Sequence, residues 1–111
     1  MPGQPTHVDE LLRRRLMLVA QVSALNAEAL KLTQALAGAE MEALRCELAI
    51  RRCEGGEQPG EDGEQLVREL LEAKESAASI AAQQTDCEER IAGTEEELRA
   101  VDLLIAASQK D

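Results

Sequence analysis

The sequence predicts an all-α fold, an antiparallel coiled-coil helical hairpin that forms part of a larger helical bundle. Three observations predict it. Leu11, Leu18, Leu25 and Leu32 recur every seven residues, and Val8, Val22, Ala29 and Leu36 fill the complementary spacing, so both seam positions of a heptad repeat are occupied. Residues 66–108 carry a second repeat of the same period. Between the two repeats stands an acidic, Gly-rich insert from Glu54 to Gly63.

Each element follows from its local residues. Residues 1–5 hold two prolines and no apolar repeat, and are expected to be a disordered N-terminus. Thr6 with Asp9 three residues on resembles a capping box, in which each side chain satisfies a free backbone N–H, so the first long helix is expected over 6–53. Only Gly38 interrupts it, at a cost of about 1 kcal/mol relative to Ala. Arg51 and Arg52 suit the negative end of the helix dipole, and Gly55 and Gly56 suit a left-handed stop. Residues 54–63 are read as a flexible turn and 64–109 as the second long helix, with Lys110 suited to its C-terminus. Leu66, Ala73, Ile80, Cys87, Thr94, Val101 and Ser108 take one seam position of that helix. Leu70, Ala77, Gln84, Ile91, Leu98 and Ile105 take the other.

Folding the second repeat back on the first sets Leu11 against Ile105, Leu18 against Leu98, Leu25 against Ile91, Leu36 against Ile80 and Ile50 against Leu66. The alignment also sets Glu28 opposite Arg90, Glu40 opposite Lys74 and Arg15 beside Val101 and Asp102. Arg15 is therefore read as a register-setting residue, and Gln84, the one uncharged amide on the seam, as a second.

Composition limits both core and partners. The 111 residues include no Trp, Tyr or Phe, so burial rests on aliphatic layers worth roughly 1.5–3 kcal/mol for each large side chain. Acids outnumber bases 22 to 12, a formal charge of −10, which disfavours duplex nucleic acid and anionic membranes as ligands. No apolar run approaches the roughly 20 residues of a membrane span, and no secretory signal is visible, so an intracellular location, cytoplasmic or nuclear, is expected. Cys46 and Cys53 lie seven residues apart, roughly 10 Å along a helix, too far for a disulfide. With Cys87 they read as reduced seam residues.

A second apolar set lies off the seam: Leu30, Met41, Leu44 and Leu48 on the first helix with Val67 and Leu71 on the second. A smaller set, Leu12, Leu16, Val19, Leu103 and Leu104, lies near the opposite end. An isolated antiparallel pair needs one stripe per helix, whereas bundle helices need a wider one. Leu12, Leu16, Leu30, Met41, Leu44, Leu48, Val67, Leu71 and Leu104 are accordingly read as a protein interface. No catalytic residue, cofactor site or metal site is expected: His7 stands alone, and the acid pairs have the composition of a solvated helical face. A zipper transcription factor is not expected, since such a protein carries a long basic helix ahead of its zipper and the ten residues before Leu11 hold no basic run.

The expected function is a non-enzymatic subunit that assembles with other coiled-coil proteins, or with a second copy of itself, as a structural or adaptor component. Complexes of cytoskeletal, kinetochore, ciliary or tethering type use such chains. Two alternatives are a chaperone hairpin resembling prefoldin subunits and a self-contained homodimeric four-helix bundle. The insert has no alternating β-branched run of the kind prefoldin's β-structure needs. No nucleic acid, membrane insertion or small-molecule substrate is expected.

Overall fold

The structure, a computed structural model, describes residues 6–55 and 63–109. The expected disordered N-terminus, most of the insert between the helices, and Lys110 lie outside the described residues. Two helices, α1 (His7–Glu54) and α2 (Gly63–Ser108), pack antiparallel as a hairpin. Neither is long and apolar enough at any point to cross a membrane.

The caps are those that the sequence dictates. The Thr6 amide donates to Asp9 Oδ2 and the Asp9 amide donates to Thr6 Oγ1, both at 3.1 Å, so Thr6 stands as the cap and α1 proper begins one residue later. At the far end Arg51 and Arg52 occupy the last turn, and the Gly55 amide closes on the Arg51 carbonyl at 3.0 Å. α2 ends at Ser108, and the amide of the following Gln109 is shared between the Ile105 and Ala106 carbonyls. The bonds from the Thr6 amide and hydroxyl hold the Asp9 carboxyl below its ordinary value. A depressed carboxyl stabilises the fold fully above its ordinary value of 3.8, and that contribution fades as pH falls through the lowered one. The Thr6 amide proton shift is therefore expected to titrate with a midpoint below 3.8 in NMR spectra, and a midpoint at or above 3.8 would contradict the cap.

The hairpin divides into two compact units, one joining the residues through Ala29 with those from Asp86 onward, the other spanning Leu30–Thr85. In the first unit, Leu11, Leu18 and Val101 form a buried cluster with Leu98 and Ile105 packed against it, as the predicted alignment requires. The Cys87 thiol donates to the Leu25 carbonyl at 3.3 Å, and Arg15 Nε donates to Asp102 Oδ1 at 2.7 Å. Arg14 reaches Glu97 at 3.2 Å. In the second unit, Leu32, Cys46, Ala49, Leu66 and Ala73 are buried, and Gln84 Nε2 donates to Thr33 Oγ1 at 3.3 Å.

Two expected ion pairs are not formed. Lys74 reaches Glu47 at 3.8 Å rather than Glu40, and no ion pair joins Glu28 to Arg90. Acids spaced a heptad apart on one flank are both within reach of a long lysine, so heptad position alone does not choose between Glu40 and Glu47. In both units the heptad seam is buried or half-buried, apart from the exposed Arg15. Cys46 is the one fully buried side chain among the described residues. A helix pair without aromatic residues encloses its seam from one side only, which leaves most of its layers partly open.

Candidate helix-docking interface

The nine residues predicted as an interface are all exposed, so none is taken into the hairpin's own core. In the second unit, Met41, Leu44 and Leu48 line a shallow groove with Arg45 and Arg52. An adjoining groove continues past Ala37 and Glu40. Both grooves are built wholly from α1, so Val67 and Leu71 of α2 are exposed but do not join them. In the first unit, Leu12, Leu16 and Leu104 are exposed without lining that unit's described groove, which runs between Gln21, Ala24, Arg90 and Thr94.

The heptad register shows what counting leucines missed. Lettering each heptad a to g, with the α1 seam at a (Val22, Ala29, Leu36) and d (Leu18, Leu25, Leu32), places Leu30, Ala37 and Leu44 at b. Gln34, Met41 and Leu48 then fall at f. Positions b and f are neighbours on the side of the helix away from a and d. In the second unit this outer stripe of α1 carries no charge from Leu30 to Leu48, in a chain of which 31% is charged. In the first unit the same two positions hold the uncharged Leu16, Ala20, Ser23 and Ala27, preceded by the charged Asp9 and Arg13. On α2 these positions include Arg68, Glu75, Glu89, Glu96 and Arg99, as a solvated face should. The signal lay in the sequence, as the absence of charge at fixed heptad positions.

Beside the stripe lies the densest charge network among the described residues. Arg45 donates from Nε and Nη2 to Glu42 and from Nη2 to Glu69 Oε2, the closest contacts being 2.8 and 3.0 Å. Hydrogen bonding to Arg45 holds the Glu42 carboxyl below its ordinary range, and Glu42 in turn raises the Arg45 guanidinium. Cys46 Sγ lies 3.8 Å from Glu42 Oε1, and burial pushes its thiol upward. Glu42, Cys46 and Glu69 bring three potential ligand atoms within 4.8 Å of one another. A metal ion would need the thiolate, which burial disfavours, and the place between the two carboxylates that Arg45 fills. The arrangement works as an ion network tying α1 to α2. No disulfide joins the cysteines.

Comparison with protein-family models, curated proteins and solved structures finds no match in any of the three.

Proposed function

We propose that this chain is a non-enzymatic assembly subunit that packs the outer face of α1 against another helix within a larger helical bundle. The observation that supports this most is the uncharged stripe of the second unit, with Leu30, Met41 and Leu44 between 51% and 68% exposed. A monomeric helix pair gains nothing from leaving three such side chains in water. Completing the burial of a large aliphatic residue already half covered contributes about 1 kcal/mol, so Leu30, Met41, Leu44 and Leu48 together form an adequate anchor for a partner helix.

The physical reason for a partner is the same one that leaves the seam half open. Stability of a small domain grows with the fraction of apolar surface hidden, and two helices without aromatics hide little. A third or fourth helix on the outer face would convert α1 from a one-stripe to a two-stripe helix. The experiment is charge substitution at the centre of the stripe. Met41→Glu with Leu44→Glu is expected to leave helical content by circular dichroism unchanged, because both side chains already face water. The same pair should abolish recovery of the chain's native partners by co-purification. Undiminished recovery would overturn the reading.

A further inference from the structure

The charges flanking the uncharged stripe are sorted by sign. On the e side stand Glu40 and Glu47; on the c side stand Lys31, Arg45 and Arg52. Positions f and b are spaced as the two core positions of an ordinary heptad, so e and c are their flanks, where charges set partner and orientation. Two copies of α1 packed parallel on this stripe bring the acidic flank of each against the basic flank of the other. Glu40 then falls beside Arg45 of the second copy, and Glu47 beside Arg52. Two copies packed antiparallel would instead set acid against acid and base against base. The stripe is thus complementary to itself in one orientation only.

Two more features point the same way. Gln34 sits at f within the stripe, one position in from Leu30, and a single polar residue at such a position fixes register between parallel helices. The charge of the chain is also unevenly divided: α1 holds seven acids and seven bases, whereas α2 holds eleven acids and four bases. Like charge between copies is therefore smallest if they meet through α1 and keep their α2 helices outermost. Arg45 already binds Glu42 and Glu69, and Glu47 lies 3.8 Å from Lys74. A guanidinium has five N–H donors and a carboxylate several acceptor sites, so each can take a further partner.

We propose that the face of α1 from Leu30 to Leu48 is the contact between two copies of this chain. They pack parallel and in register, with Glu40 and Glu47 of each copy against Arg45 and Arg52 of the other. This rests on the assembly reading above and names its partner.

The test uses the full chain. Sedimentation equilibrium should give a dimer at micromolar concentration. Glu47→Arg and Arg52→Glu, each alone, should weaken the dimer about tenfold, since each places like charges at both symmetry-related sites. An equimolar mixture of the two variants should recover wild-type affinity, because both sites are then oppositely charged. Leu30→Cys and Leu44→Cys should each form a disulfide-linked dimer on mild oxidation, with the wild-type chain as the blank for its native thiols. Residues this far apart along α1 both meet their own copies only in a parallel, in-register pair. A folded monomer, cross-linking at neither position or at only one of them, or a mixture no tighter than its components would each overturn the proposal. If the wild-type chain is a folded monomer and Met41→Glu with Leu44→Glu still loses its native partners, the second copy is excluded. The assembly reading then stands with a different helix on this face.

Discussion

Leu18→Ala is expected to lower the stability of the chain by about 3 kcal/mol, the middle of the range for a buried leucine truncated in a packed core. Leu18 is 3% exposed and belongs to the single buried cluster of the first unit, with Leu11 and Val101, which Leu98 and Ile105 flank. Truncation removes its transfer free energy and leaves a gap that no neighbour can fill without sliding one helix along the other, a movement that would break the Arg15–Asp102 and Arg14–Glu97 contacts. A loss of about 3 kcal/mol is a large part of the 5–15 kcal/mol that holds a typical domain together. Met17→Ala is the matching control, because Met17 is 64% exposed one residue away, and it should change stability by no more than about 0.5 kcal/mol. Urea titrations of both variants, followed by circular dichroism, measure the difference. Equal losses would mean that the seam is not where the burial energy lies.

Much of this fold was legible because a heptad repeat states direction as well as helicity. Leu11, Leu18 and Leu32 are buried where the repeat put them, and Thr6 and Asp9 exchange the two bonds that their spacing predicts. Arg15 finds Asp102 because a seam position fixes its height to within a turn. What remained hidden were contacts made by long side chains. Arg45 lies at c, outside the seam and its immediate flanks, yet its length lets the guanidinium wrap to Glu69 on α2. Lys74 passes over Glu40 for Glu47 for the same reason. Exposed pairs of this kind contribute a few tenths of a kcal/mol, so little in the sequence selects one over another.

The candidate interface was legible only in fragments. Met41, Leu44 and Leu48 are visible as leucine-like residues at helical spacing, but Ala37 and Gln34 complete the stripe without being hydrophobic enough to draw notice. The burial pattern supplied the missing step. Once Leu32, Cys46 and Ala49 are seen to face α2, the neutral residues at b and f are recognisable as a face of their own. Val67 and Leu71 matched the same reading by exposure but belong to a helix whose b and f positions include several charges. They join neither groove of α1.

Thermal stability is expected to rise with chain concentration, which a self-sufficient hairpin would not show. If folding is completed by pairing of two copies, the unfolding equilibrium includes dissociation, and each tenfold dilution removes about 1.4 kcal/mol per dimer, or about 0.7 kcal/mol per chain. For a domain of about 100 residues, 1 kcal/mol moves the melting temperature by roughly 4–8 °C, so a hundredfold dilution should lower it by roughly 6–11 °C. Met41→Glu with Leu44→Glu should abolish the dependence and melt at the low-concentration limit of the wild type, because the substituted side chains point into water in the lone hairpin and cost it nothing directly. Leu18→Ala should keep the dependence while shifting the whole curve downward, since its loss falls on the seam within each copy. Melting curves by circular dichroism across that range separate the two faces of α1: one whose burial is intramolecular and indifferent to dilution, and one whose burial follows mass action. A wild-type melting temperature that does not move with concentration would exclude pairing of two copies, and the outer face of α1 would then be left for a different helix.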